Sequence, residues 1–369
     1  MGFLNALKRS LYSHTSKYIS NAILVEGILE DCSEPFRCLF IDNSLFANYM
    51  SAKAFKQHPR ILKQWKILIP SLKEIIKDED NKIDLCIAVL PIKYESDFRD
   101  LYKFKTYDWV RQVLDISGPW EEIKKGFHKD PKEVNRKIGK YGYTHKISHD
   151  LNDLDTFYRH MYLPSIIKFG DGAQITKYEW MKSVYLKGFL LIIMDGNNAI
   201  SACLASERDS TLVTHAVGVL NGDEAYIKKA AQSATYHFII SYAKENGFKE
   251  IDFELSRPSL DGVYWHKSRW GAVLYPYDES KTWVYFFIPR HSEKVVSFFK
   301  NNPAIIQTDE GLSGLVGMTE SRGISDESVK YLTRHFYSPG LKSLHLLTPE
   351  SQETIKYAFN RSDGNRLNR

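Results

Sequence analysis

The stretch FLLIIMDGNNAISACLASERDSTLVTHAVGVL, residues 189–220, restricts the fold more than any other part of the chain. Three apolar runs are separated by two short polar breaks. DGNN is a tight hairpin turn and RDS a second polar turn, so the three runs are expected to be antiparallel strands. The segment EAYIKKAAQSATYHFIISYAKENG then takes a helical period. Its apolar positions 227, 230, 231, 234, 238 and 242 fall near one face, and Gly247 is a C-cap candidate. The apolar run KEIDFEL follows. A strand, a long helix and a second strand in one sheet place the two strands parallel, with a right-handed crossover. The sheet is therefore expected to be antiparallel up to residue 220 and parallel where 211–220 meets 249–255.

The flanking segments extend this order. YTHKIS reads as a short strand. DLDTFYRHMYLPSIIKF reads as a helix, capped by Asp153 or Asn152 and bent at Pro164, and KYEWMKSVYLKG as a second helix stopped at Gly188. TWVYFFIP is a further strand. From Tyr143 to about residue 290 the order is β-α-α-β-β-β-α-β, a short helix, then two strands. Residues 1–117 mix strands (AILVEGILED, FRCLFID, KIDLCIAVLPI) with SAKAFKQHPRILKQWKILIPSLKEIIKDED, which is mostly helical in period and broken at Pro59 and Pro70. A coarse duplication, with residues 20–117 echoing the later half, is faintly visible. WEEIKKGFHKDPKEVNRKIGKYGY reads as a helical hairpin or one broken helix, interrupted at Pro131. From Lys124 to Lys146 it carries eight Lys or Arg against Asp130 and Glu133. Beyond about residue 292, ISDESVKYLTRHFYS, LKSLHLLTP and SQETIKYAFN read as helix, strand and helix, followed by a disordered tail, RSDGNRLNR. The expected class is α+β, in domains 1–117, 118–292 and 293–369.

Composition bounds the function. With 369 residues and 43% apolar content the chain has material for two cores or three small ones. No run of about 18 apolar residues marks a membrane span. The amphipathic, basic start lacks the apolar core and cleavage site of a secretory signal, and position 6 is Ala, against N-terminal acylation. Cys32, Cys38, Cys86 and Cys203 form no CxxC pair, which argues against a zinc site or disulfide framework and for a reducing, cytoplasmic setting. No metal is expected. The net charge of +5 permits an anionic substrate without demanding nucleic acid.

The run DGVYWHKSRWGAVL, residues 261–274, sets Lys267 and Arg269 among Tyr264, Trp265 and Trp270. The two cations either snorkel over aromatic rings or await a phosphate or carboxylate. His215 in an apolar strand is either a hydrogen-bonded core histidine or a base. Asp252 and Glu254 share one strand face and either bind an amine or cap a sheet edge. Tyr158 and Tyr162, at i and i+4, pack in a core or line a pocket. The basic stretch 124–146 is a solvated face or a contact for nucleotide, tRNA or a lipid headgroup.

The order from 143 to 290 resembles the GNAT acyltransferase fold. More narrowly it resembles the Fem-type aminoacyltransferases and the related biotin-synthesis-like and cellulose-biosynthesis-like acetyltransferases. EVNRKIGKYGY, DLDTFYRHMY, GFLLIIMDGNNAISACLA and GFKEIDFELSRPSLDGVYWHKSRWGA carry the likeness, over nearly half the chain. The resemblance implies a GNAT fold, with residues 1–117 as a degenerate second half. It implies two strands, 211–220 and 249–255, that splay into a slot for a donor arm, and transfer of an acyl group from acyl-CoA to an amine of a small molecule, amino sugar or cell-envelope precursor. An aminoacyl-tRNA donor and a noncatalytic binding role are the alternatives. On this picture His215 or Glu254 draws a proton from the amine, Tyr264 donates to the leaving group, and Lys267 steadies an anion. Arg269, Trp265, Asp252, Tyr158, Tyr162 and Arg136 would touch substrate. Asn221, Gly222, Lys228 and Lys229 would hold the cofactor's phosphates. That last turn departs from the family's pattern: VLNGDEAYIKKAA has one glycine followed by Asp223 and Glu224, which repel a diphosphate.

Overall fold

The computed structural model describes residues 19–42, 46–78, 82–168, 174–260, 262–277, 279–319 and 326–359. The basic start, Asp261 and the tail RSDGNRLNR lie outside them. The chain forms two compact units. The first takes residues 1–108, 278–325 and 343–357; the second takes 109–277, 326–342 and 358–369. The expected divisions at 117 and 292 are displaced because each sheet takes in a strand from across them.

Elements are numbered along the chain. In the first unit, β1 (Ile19–Ile28), β2 (Pro35–Ile41), β3 (Arg60–Leu68), β4 (Leu85–Pro91), β5 (Phe104–Tyr107) and β13 (Thr282–Phe287) form one sheet in the order β3-β1-β2-β4-β13-β5. α1 (Phe46–Ala54) and α12 (Glu293–Asn301) cover one face through Phe46, Met50, Val295 and Phe298. α2 (Leu72–Lys77) and α3 (Glu95–Phe98) cover the other through Leu72, Ile76 and Phe98. A four-stranded sheet, β14 (Ala304–Thr308), β15 (Gly311–Gly317), β16 (Ser343–Thr348) and β17 (Ser351–Ala358), completes the unit.

In the second unit, β6 (Val110–Asp115), β7 (Thr144–Ser148), β8 (Gly188–Asp195), β9 (Asn198–Arg208), β10 (Thr211–Val219), β11 (Glu250–Ser256) and β12 (Val273–Pro276) run in the order β12-β6-β11-β10-β9-β8-β7. β7 to β10 are antiparallel, and β10 and β11 are parallel, as the helical crossover demands. The sheet is thus antiparallel up to β10 and parallel at β10–β11, as the order of elements in the sequence implied. One face packs on α4 (Trp120–Lys125), α5 (Lys129–Tyr141) and α10 (Ala231–Glu245), through Ile123, Val134, Ala231, Ala234, Ile239 and Ile240. The other packs on α6 (Leu151–Phe157), α7 (Leu163–Ile167) and α8 (Tyr178–Tyr185), through Leu154, Phe157 and Met181. α9 (Glu224–Lys228), α11 (Gly262–Ser268) and α13 (Asp326–Phe336) complete its helices among the described residues.

The faint duplication has a topological basis. In each sheet an antiparallel pair (β1–β2, β9–β10) is followed by a parallel pair (β2–β4, β10–β11). Next comes an antiparallel inserted strand (β13 beside β4, β6 beside β11), and then an end strand (β5, β12).

Several local expectations are corrected. RILKQWKIL is the strand β3, not helix; it pairs only with β1 at the sheet edge and buries only Ile67, so it shows no period of two. SQETIKYAFN is the strand β17, not helix: a two-residue connection after β16 returns a Thr-, Ile- and Tyr-containing run along the sheet edge. The basic segment breaks between Lys125 and Lys129, and Pro131 sits in the first turn of α5, where the absent N–H has no helical partner to lose. The cap of α6 is Asp150, whose carboxylate accepts from the Asn152 N–H. The bend beyond α6 is a π-helical turn at Tyr158–Tyr162, ahead of Pro164. The long helix is two helices, parted at Ala230 with φ of 67°. Its buried face is Ala231, Ala234, Thr235, Tyr236, Ile239, Ile240 and Ala243; Phe238 and Tyr242 are only partly covered.

Candidate active site

β10 and β11 pair at three positions only, Thr211↔Glu250, Leu212↔Ile251 and Val213↔Asp252. Each strand then carries a bulge. In β10, Thr214 and Ala216 oppose the consecutive residues Ala205 and Leu204 of β9, so His215 is the extra residue. In β11, Asp252 and Leu255 oppose Val113 and Arg111 of β6, so Phe253 and Glu254 share one partner position. A bulge bends and twists its strand. Beyond these bulges β10 continues only with β9, and β11 only with β6, and the two strands part.

The residues displaced at the two bulges meet across the parting. His215 Nδ1 lies 2.6 Å from Glu254 Oε1, and His215 Nε2 lies 2.8 Å from Ser206 Oγ on β9. In the tautomer that donates Nδ1–H to the Glu254 carboxylate, Nε2 is the acceptor nitrogen and faces the Ser206 hydroxyl. The Trp180 indole meets the imidazole edge-on at 5.6 Å and is itself 45% exposed. The His215 side chain keeps 10% of its surface exposed and Glu254 keeps 37%.

The Glu254 backbone is held at φ of 54°, in the left-handed region, which costs a non-glycine residue about 1–2 kcal/mol. Asp252 fixes it there. Its Oδ1 accepts from the Glu254 N–H at 2.9 Å. Its Oδ2 accepts from Arg111 Nε at 3.0 Å and Arg208 Nη2 at 2.9 Å. Asp252 is thus a buried anchor between two guanidinium groups.

Lys267 lies inside the protein, 5% exposed. Its ammonium donates to the Leu255 carbonyl at 2.9 Å and Ser256 Oγ at 3.0 Å, on the parted section of β11. Gln112 extends this buried network, joining Ser256, Ser268 and the Tyr264 carbonyl. Burial lowers the Lys267 pKa from the usual 10.5 to about 8, against the opposing pull of Glu254 and Asp252. The unfolded chain therefore holds this proton more tightly, and between about pH 8 and 10.5 the group makes stability rise with pH. Lys267→Met removes that slope. The unfolding free energy of the variant minus that of the native chain is expected to fall by up to about 3 kcal/mol between pH 7 and pH 10.5. Parallel curves in urea titrations across that range would mean the ammonium is solvated.

Tyr264 is buried, its hydroxyl unpaired, and burial pushes its pKa up to about 12 despite the neighbouring Ser338 and Ser268 hydroxyls. Trp270 is a core residue, and Arg269 Nη2 meets His266 Nδ1 at 2.7 Å. Trp265 lies against His128 and His335, at 5.5 Å and 5.8 Å between ring centroids. Tyr162 packs in the core and its hydroxyl accepts from the Thr176 N–H at 2.8 Å, while Tyr158 OH donates to the Thr176 carbonyl at 3.2 Å. The pair thus anchors the turn before α8. Arg136 is exposed on α5, 3.3 Å from Glu133.

The turn expected to hold a diphosphate is Leu220–Gly222, with both Asn221 and Gly222 at positive φ. A side chain at 222 would strike the Pro164 carbonyl at 2.8 Å, so the glycine serves close packing. The start of α9 is capped by Asp223, which accepts from the Ala225 N–H at 2.7 Å. The group placed where a phosphate would dock is thus a carboxylate. The Lys228 carbonyl accepts from Lys137, and the Lys229 ammonium lies 5.8 Å from the Tyr141 ring centroid.

Sequence reasoning brought forward His215, Glu254, Asp252 and Lys267, which the fold gathers around the parted strands. It missed Ser206, Trp180, Gln112, Arg111 and Arg208. Ser206 faces Val213 across β9–β10, so strand parity placed it on the Asp252 face once the register was known. Arg111 and Gln112 had no such signal, because β6 enters this sheet from the earlier part of the chain.

Three solved structures are among those similar to the chain. One is FemX, at 13% identity and TM-score 0.36 over 71% of this chain and 83% of that one. A second is L-PGS from Bacillus licheniformis, at 11% identity and TM-score 0.32 over 71% and 83%. A third is a GCN5-related N-acetyltransferase from Sphaerobacter thermophilus, at 12% identity and TM-score 0.31 over 68% and 71%. No protein-family profile and no curated protein matches the chain. Among the described residues no cluster of His, Cys, Asp or Glu is placed to hold a metal, and no helix is long and apolar enough to cross a membrane.

Proposed function

We propose that the protein is an acyltransferase that moves an acyl or aminoacyl group from an activated carrier to an amine, with His215 as general base. The observation that supports this reading is the meeting of His215 and Glu254 where β10 and β11 part. An amine attacks a carbonyl only after losing a proton. Nε2 of an imidazole whose other nitrogen is held by a carboxylate suits that task. Glu254 fixes the tautomer and steadies the imidazolium. The gap beyond residues 213 and 252 offers strand edges to an extended donor. Lys267 acts as a positioning residue, holding the carbonyl next to Glu254.

The Asp223 cap favours a donor whose phosphates do not dock at the start of α9. An aminoacyl ester such as aminoacyl-tRNA meets that condition, and acyl-CoA is the competing donor. The test incubates the protein with each donor class and three amine acceptors: an amino sugar, an amino acid and a lysine-containing peptide. Mass spectrometry then reads acylation of the acceptor. His215-dependent transfer from aminoacyl-tRNA is expected. Transfer from acyl-CoA alone would overturn the donor preference. Absence of transfer and of any donor-induced melting shift would point to the noncatalytic role.

A further inference from the structure

The base has a hydroxyl already seated on it. We propose that Ser206 is a nucleophile, and that the acyl group passes through a covalent Ser206 ester before reaching the amine. This rests on the reading of His215 as a base. Ser206 Oγ, His215 Nε2, His215 Nδ1 and Glu254 Oε1 form an unbroken line, 2.8 Å and 2.6 Å at its two hydrogen bonds. With Nδ1–H donating to Glu254, Nε2 accepts from the Ser206 hydroxyl, which is the arrangement that activates a hydroxyl for attack.

Three strands supply the three residues: β9 gives Ser206, β10 gives His215 and β11 gives Glu254. The last two come from bulges, and Glu254 stands at strained backbone. A histidine that only packs requires neither. Backbone strain held by a dedicated anchor, here Asp252, is found where a side chain must be aimed. Ser206 is only half-buried, and its partner on β8 is Gly188, so no side chain stands beside the hydroxyl on that strand. The Trp180 indole stands beside the imidazole, 5.6 Å between ring centroids.

The chemistry balances without an added reagent. As the Ser206 oxygen bonds to the donor's carbonyl carbon, its proton moves to His215 Nε2. The donor's carbonyl carbon to sulfur or oxygen bond then breaks, and the leaving thiolate or alkoxide takes that proton. In the second half the amine bonds to the ester carbon, gives its proton to Nε2, and the proton returns to Ser206 as the ester bond breaks. Nothing is oxidised or reduced.

p-Nitrophenyl acetate tests the step without knowledge of the native donor. A burst of about one p-nitrophenolate per chain is expected, with an acetyl group mapping to the peptide that contains Ser206. Ser206→Ala should abolish this adduct, and His215→Ala should slow its formation roughly 10²-fold or more. Ser206→Cys should restore labelling as a thioester that neutral hydroxylamine removes. Melting curves of the variants check that each is folded. An adduct elsewhere, or one that survives Ser206→Ala, overturns the proposal. Amine acylation that persists in Ser206→Ala but is lost in His215→Ala overturns the covalent step and leaves the base role standing.

Discussion

His215→Ala is expected to lower acyl transfer about 10²–10⁴-fold, the range that a positioned general base contributes. The loss should fall on kcat rather than KM, because the imidazole acts on a proton in flight and does not anchor the donor. Glu254→Gln separates orientation from basicity. An amide can accept from Nδ1–H but carries no charge to steady the imidazolium, so activity should fall by less than in His215→Ala while folding is kept. The side chain of Glu254 is partly exposed, which allows the neutral replacement without stranding a charge. Rates measured for both variants on whichever donor is turned over provide the check. If either variant retained the native rate, the His215–Glu254 pair would be a structural contact.

Gly218→Val is expected to have the largest effect on stability. A Cβ at 218 would lie 2.5 Å from the Met161 carbonyl carbon and 2.6 Å from the Tyr162 nitrogen. These are backbone atoms of the π-helical turn, so no rotamer change relieves the overlap. The turn rests directly on β10, three residues beyond His215. The cost should be at least about 3 kcal/mol, the upper range for overpacking. Chemical denaturation reads it as a lower midpoint with an unchanged slope. A loss below 1 kcal/mol would mean that the turn is free to lift from the strand. A folded variant with reduced transfer would tie the turn to the placement of the base.

The central sheet was legible because its sequence is locally consistent. Residues 188–220 combine continuous apolar runs with polar turns, and the parallel crossover followed from one long helical segment. The edge strands β3 and β17 were not legible, although the edge strand β7 was. RILKQWKIL places Ile61, Trp65 and Leu68 at helical spacing, and an edge strand with one buried residue has no alternation to oppose that signal. The helix break at Ala230 was equally silent, since alanine at positive φ runs against its own propensity.

At the site, residue type pointed to His215, Glu254, Asp252 and Lys267, but not to their arrangement. Two bulges turn His215 and Glu254 toward each other, and a bulge leaves no mark in composition. The aromatic setting of Lys267 suggested an exposed cation steadied by rings. Tyr264 and Trp270 are instead core residues, and the ammonium is drawn inward onto a carbonyl and a hydroxyl. Ser206 lay unnoticed because a serine near the end of a strand is ordinary until the register sets it beside an imidazole.

The central claim is that the donor lies between β10 and β11 where they part. Amide hydrogen exchange over residues 214–219 and 253–256 tests it most directly, with and without aminoacyl-tRNA or acyl-CoA, whichever is turned over. Slowed exchange in both segments, with β7 and β8 unchanged, is the predicted result. A donor that is turned over while exchange slows elsewhere and stays the same in these two segments would contradict it.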